Sequence, residues 1–333
     1  MDKATKALYV AAASERIDSK LRSLCAAKGL RADAGEVVFT RGQLEAVEQV
    51  VYEELFSQNL EGLSVIPTRT SFDRAATSMT YNVETKTGSA KLMRDDATDA
   101  PTVDASLAQV TRLIAEFGAG YVYTVSQGER AALSGYDLTA SKARSAARAI
   151  AQAINDHGLT GSTDHSVATG FFNDANVPDE TANVTDDDWT TVTATGQYST
   201  LVDLCNHVDT NSSSLHRATE VLVPPFIWNL ITATRLADGT AETVLEAFRK
   251  NMPGVSVRKM VSLNNETVAG ANHNRVIAWE RSSAVAEHVI PMMYDEASPD
   301  KKGFTYSVQA RGKSFGTTVR YPLAMAYADI QIA

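Results

Sequence analysis

Cysteine is nearly missing from these 333 residues, which contain only Cys25 and Cys205. The two are far apart and fall in no paired spacing, so neither a disulfide framework nor a cysteine zinc site is expected. Each reads as a small buried hydrophobe. Long apolar runs are also missing: none approaches the ~18 residues that a spanning helix needs. Lys3 and Lys6 precede Ala7-Leu8-Tyr9-Val10-Ala11-Ala12-Ala13, which superficially resembles a secretory leader. The stretch is weakly apolar and of minimum length, so it reads as a retained helix turn, and no membrane association is expected. An excess of positive charge is the third absence. With 31 Lys and Arg against 40 Asp and Glu, the net charge is -9 and the pI near 5.2. Phosphate contact needs clustered cations, so a basic nucleic-acid groove is disfavoured.

Catalytic and metal-binding patterns are scarce too. The six histidines include no helical His pair and no zinc motif with its glutamate. Cys205 and His207 are two apart, a spacing that puts them on different faces of a helix. Asp164-His165-Ser166 has the residue types of a catalytic triad, but adjacent side chains make no relay and no nucleophile elbow occurs. Gly118-Ala119-Gly120 lacks the third glycine of a dinucleotide loop. Asp186-Asp187-Asp188 reads as a solvated loop, since a calcium loop needs ligands at alternating positions and a bending glycine. The expectation is therefore a chain without catalytic residues, metal or cofactor.

What is present is a soluble, globular composition, 44% hydrophobic and 21% charged. Its length suits two domains, or one with a large insertion. Residues 1–36 read as an arm, with Ile17, Leu21 and Leu24 at helical spacing. Thr40 and Gln43 form a capping box before a helix face of Leu44, Val47, Val51 and Leu55. From Ser78 the period changes to two, with Met79, Tyr81 and Val83 on one side and Thr80, Asn82 and Glu84 on the other. Lys86-Thr87-Gly88-Ser89 is read as the turn of a hairpin that returns from Ala90 to Met93. Asp95, Asp96, Asp99 and Pro101 would then keep that edge from propagating. Such a ribbon has little core of its own to lie on and is expected to rest on another subunit. An extended segment, residues 103–117, leads back to the core.

An Ala-rich helix is predicted over residues 138–154, with a stripe of Ala140, Ala143, Ala147, Ile150 and Ile154 and stops at Gly158 and Gly161. Beyond a loop at 178–189 the elements shorten. A helix face of Leu201, Leu204, Cys205 and Val208 precedes a buried strand at 221–223. Helices follow from Pro224-Pro225 and over Thr243 to Met252, then strands at 255–257 and 276–279, an α/β layer. The tail alternates Phe304, Tyr306 and Val308 before Gly312, with Val319 and Tyr321 after it.

These elements, in this order, carry a resemblance. Gln43-Leu44, Tyr52-Glu53-Glu54, Ile66-Pro67, Met79-Thr80-Tyr81, Gly88-Ser89-Ala90-Lys91 and Asp99-Ala100-Pro101-Thr102-Val103-Asp104 come first. Gly161, Gly170-Phe171-Phe172-Asn173-Asp174-Ala175-Asn176-Val177, Leu222-Val223-Pro224-Pro225, Ile290-Pro291-Met292 and Gly316-Thr317-Thr318-Val319-Arg320-Tyr321-Pro322 complete the set. Over residues 40–332 the series resembles the major capsid protein of tailed bacteriophages, with the Hong Kong 97-type fold.

The resemblance implies an α+β chain with an N-terminal arm (1–39), a peripheral domain (40–67, 118–179 and 291–333) with a long spine helix, an extended loop (68–117) and an axial domain (180–290). It implies an assembly interface on the loop at Met79, Tyr81, Val83, Lys86, Gly88, Lys91 and Arg94, and spine-helix packing by Ala143, Ala147, Ile150 and Ile154. Copies would form hexamers and pentamers of an icosahedral head around double-stranded DNA, assembled in the host cytoplasm. Partners would be a portal protein, a separate scaffolding protein and, optionally, a decoration protein, with DNA contacted non-specifically. The family archetype bonds a loop lysine to a distant asparagine; residues 303–333 contain no Asn, so no such crosslink is expected. Two alternatives remain at this stage: an encapsulin-like compartment shell, which would need an internal cargo-peptide groove, and an unrelated soluble α/β enzyme.

Overall fold

A computed structural model describes residues 60–90, 92, 102–133, 137–162, 169–181, 189–237, 241–263 and 273–331. The elements in chain order are α1 (Glu61–Val65), β1 (Thr68–Arg69), β2 (Ser78–Thr87), β3 (Asp104–Leu113), β4 (Ala115–Thr124), α2 (Val125–Leu133) and α3 (Leu138–Thr160). Next come α4 (Ala194–Asn211), β5 (Glu220–Val223), α5 (Pro225–Ala233), α6 (Val244–Asn251), β6 (Ser256–Lys259) and β7 (His273–Trp279). The series ends with β8 (Ala286–Val289), β9 (Met292–Glu296), β10 (Asp300–Lys302), β11 (Thr305–Ser314), β12 (Thr317–Val319) and β13 (Met325–Gln331). The expected helices at 1–36 and after Thr40, the acidic stretches at 95–99 and 186–188, Asp164-His165-Ser166 and Cys25 lie outside the described residues.

One four-stranded sheet, in the order β13-β7-β5-β6, divides two apolar clusters. Strand periodicity sorts its side chains. Val221, Val223, Val276, Ala278, Ala326 and Ala328 face the layer of α4 and α6, while Leu222, Ile277, Trp279, Met325 and Tyr327 face Phe171, Phe172 and Leu159. Burial on both faces is why β5 reads as a continuous apolar run. Leu201, Leu204, Cys205 and Val208 form the buried face of α4. Pro225 occupies the first turn of α5, and Thr243 closes a capping box with Glu246 at the start of α6. Arg275 joins β7 to β13 through two 2.6 Å bonds donated to Asp329, and donates a third to the Phe172 carbonyl.

The second large sheet pairs β4 with β11 over ten residues, with β9 and β10 along the other edge of β11. Helix α3 lies across it. Asp137 caps the helix by accepting from the Ala140 N–H, and Gly161, at φ 77°, closes it. The helix thus runs six residues past the expected end at 154, and Gly158 does not stop it. That glycine is needed for close approach instead: a Cβ there would lie 2.5 Å from the His288 ring. Gly312 serves a close approach of the same kind. It sits inside β11, where a Cβ would meet Ile150 at 2.5 Å and Ile154 at 2.9 Å.

The expected tight hairpin is also corrected. β2 pairs with β3, from Ser78 opposite Leu113 to Thr87 opposite Asp104, so the return strand is 104–113 rather than 90–93. A two-residue turn at Thr87-Gly88 would need a positive φ at β-branched Thr87, which is sterically costly. The chain stays extended there and pairs with a later segment.

Candidate assembly surface

β2 and β3 form a sheet of their own. Ten residues at ~3.3 Å each make a ribbon roughly 33 Å long. Its root is fastened to the subunit. Met79, Val289 and Phe315 are buried together, with Phe72, Ala76, Tyr81 and Ile114 packed around them. The Phe72 and Phe315 rings meet edge to face at 5.1 Å, and the Ile114 N–H donates to the Thr77 carbonyl at 3.1 Å.

Beyond the root, residues 82–84, 86–87 and 104–111 are exposed. Opposite residues share a face, so Tyr81 and Val83 lie with Val110 and Ala108, while Glu84 and Thr80 lie with Leu107 and Thr111. Both faces therefore carry exposed aliphatic groups: Val83 is 38% and Val110 37% exposed on one, Leu107 63% on the other. Lys86 Nζ lies 3.8 Å from Glu84, a solvated pair. At Gly88, φ is 154° and a Cβ would sit 2.8 Å from the Val103 side chain, so glycine lets the two strands leave the ribbon close together. Lys91 and Arg94 lie outside the described residues. Of the seven loop residues named from sequence, the structure thus brings Met79, Tyr81, Val83, Lys86 and Gly88 onto one strand and its exit. Leu107 and Val110 escaped sequence reading because β3 has apolar residues on both faces and no clean alternation.

At the other end of β3, only Ile114 separates the ribbon from β4. Ile150 and Ile154 of α3 are buried with Ile290 and Ala310. Ala143 packs at the edge of a second cluster, Tyr121, Ala146 and Val308. Ala147, expected in the stripe, is only partly buried, and Ala146 takes the core position. The helix thus turns its core face slightly from the one read off the Ala spacing. Lys142 Nζ donates to the Val122 carbonyl at 2.7 Å, and the Tyr121 hydroxyl donates to Glu296 at 2.6 Å.

The polar chemistry elsewhere is structural. Burial pushes the Cys205 thiol up to about 12, so it is no thiolate nucleophile. His207, two residues on, points away and lies 3.4 Å from Glu180. Glu220 is buried between Arg258 at 2.9 Å and Arg281 at 3.7 Å; burial raises its pKa while the two guanidinium groups oppose that rise. Gly118 and Gly120 lie inside β4, not in a loop. Among the described residues no cluster of three or more His, Cys, Asp or Glu side chains could hold a metal, and no helix is long and apolar enough to cross a membrane.

An extended ribbon fastened at one end, beside a long helix laid on a sheet, defines a shell-forming class of protein, the Hong Kong 97-like capsid fold. The profile of the family described as Major capsid protein matches residues 88–330, most of the chain, and the chain belongs to that family. Its members are structural rather than enzymatic. Among solved structures, the chain is similar to the capsid of Myoviridae phage XM1, at 19% identity and a TM-score of 0.74, covering 89% of this chain and 99% of that one. The capsid of a native GTA particle matches at 13% identity and a TM-score of 0.62, covering 90% and 100%. A structure from Gordonia phage Cozz matches at 12% and 0.60, covering 91% and 96%. Comparison with curated proteins returns no match.

Proposed function

We propose that this chain assembles with copies of itself into the hexamers and pentamers of an icosahedral phage head that encloses double-stranded DNA, and that the β2–β3 ribbon is the main clasp between neighbours. The observation that carries this is the exposed outer ribbon, with Val83, Val110 and Leu107 uncovered. An isolated two-stranded ribbon is marginal in water, and covering these groups against the next copy stabilises it at roughly 25 cal/mol per Å² of apolar area. Because the ribbon and the surface it covers differ, the contact is head-to-tail, the geometry that closes into rings.

In this reading α3 and the β4–β11 sheet belong to the peripheral domain, and residues 180–290, with the β5–β7 sheet and its helices, face the ring centre. A portal protein, a separate scaffolding protein and, optionally, a decoration protein complete the particle. The net charge of -9 opposes tight phosphate binding, so packaged DNA would be contacted only weakly and non-specifically. The encapsulin-like and enzyme alternatives are not favoured by the family match.

The test is excision of residues 82–109 with Tyr81 and Val110 rejoined through Asn-Gly, which favours a two-residue hairpin turn. The variant should stay folded and soluble yet give no closed shells by electron microscopy. Normal heads from it would overturn the proposal.

A further inference from the structure

Beneath the ribbon's root lies a closed polar cluster that the assembly reading does not use. His288 of β8 and His157 of α3 both approach Ser314 at the end of β11: His288 Nε2 lies 2.9 Å from the hydroxyl oxygen and His157 Nδ1 3.4 Å. Ser314 also accepts from the Gly316 N–H at 2.9 Å. All three side chains are buried, and Gly158 presses the helix backbone against the His288 ring. The ring's Nδ1 makes no hydrogen bond.

The next residue on each strand belongs to the root. Val289 follows His288, Phe315 follows Ser314, and both pack on Met79. β8 is also the middle strand of β1-β8-β12, and its His288 N–H donates to the Pro67 carbonyl on the approach to the ribbon.

We infer that the His157–Ser314–His288 cluster is an acid-sensitive latch: proton uptake by His288 forces a cation into this closed space, opens the joint between β8, β11 and α3, and releases the root of the ribbon while the β13-β7-β5-β6 sheet holds. Among the described residues, the surrounding charges offer the new cation no partner. On α3, His157 adds like charge on protonation, and Asp156 is exposed. On β8, Glu287 is engaged by Arg320 at 2.5 Å and by Arg69 of β1 at 3.9 Å. On β11, Lys313 pairs with Glu116 at 3.9 Å. Among the described residues no carboxylate bonds to His288. Burial, with a smaller contribution from His157, holds its pKa down at about 3.

The sign follows by linkage. A histidine depressed in the closed state contributes stability that is full above its ordinary pKa of ~6.5 and is lost as pH falls toward about 3. Opening of the joint should rise about tenfold per pH unit across that window. The experiment is hydrogen exchange on the full-length chain, corrected for the intrinsic pH dependence and read at the amides of Ile114, Val289 and Phe315, whose bonds hold the root. Expected is a one-proton slope between about pH 6.5 and 4, absent at Val221 and Ile277 and lost in His288→Gln. A flat profile in the wild type, or an unchanged slope in His288→Gln, overturns the latch. Should that variant not fold, side-chain NMR of wild-type histidines decides: a neutral His288 ring at pH 5 supports the latch, and a protonated one in the closed state overturns it. Neither measurement needs assembled particles, so failure here is separate from failure of the assembly reading.

Discussion

Single atoms decide several positions. A Cβ at Gly312 would collide with Ile150, Ile154 and the Met293 carbonyl, whereas at Gly118 the nearest atom is a carbonyl 3.9 Å away. Gly312→Ala should therefore cost on the order of 1–3 kcal/mol by overpacking and Gly118→Ala much less, as compared by urea unfolding of the two variants. Asp329→Ala should cost more, about 3–5 kcal/mol, because it leaves the buried Arg275 guanidinium without its carboxylate. The same unfolding assay would show it, and a loss under 1 kcal/mol would mean that Arg275 finds water instead. Cys205, with its thiol pushed up to about 12, should resist iodoacetamide at pH 8 until the chain unfolds. Peptide mapping distinguishes it from Cys25.

At the scale of elements, α3 sets a sharper test of packing. Ala146 is 7% exposed between Tyr121 and Val308, while Ala147 is partly open. Ala146→Phe should lower the melting temperature clearly and Ala147→Phe only slightly; the reverse order would return the core face to the stripe read from sequence. Amphipathic helices and buried strands were legible because their periods come from local geometry: the α4 face, the proline start of α5 and the start of α6 near Thr243 all lie where the sequence puts them. Pairing was less legible. Lys86 to Ser89 looks like a turn locally, but the β2 partner starts at Asp104, and no local pattern encodes that distance. Gly158 looked like a break because sequence displays the missing side chain and not the neighbour that fills the space. β13 was not singled out within the C-terminal strands expected over 291–333, since Ala326 and Ala328 take their core role from the sheet beside them.

At the scale of the whole molecule, the particles proposed here should be held by noncovalent contacts alone. An isopeptide bond needs a receiving Asn beside a lysine and a carboxylate base. Asn274 is buried in β7, and Lys86 is solvated on the ribbon. Particles boiled in denaturing detergent should give one band near 35.8 kDa; a ladder of larger bands that vanishes in Lys86→Ala would contradict this. The single residue between β3 and β4 has a mechanical corollary. Ile114 joins β3 to a strand locked along the whole of β11, and residues 70–77 join β2 to β1, so the packed root between them is the fulcrum of a lever. A 33 Å arm swung by about 10° carries its tip about 6 Å, while nothing beyond the fulcrum need move. Identical chains could thereby meet neighbours at the differing angles of five- and six-membered rings, with curvature set at the root of the ribbon instead of by a refolded subunit.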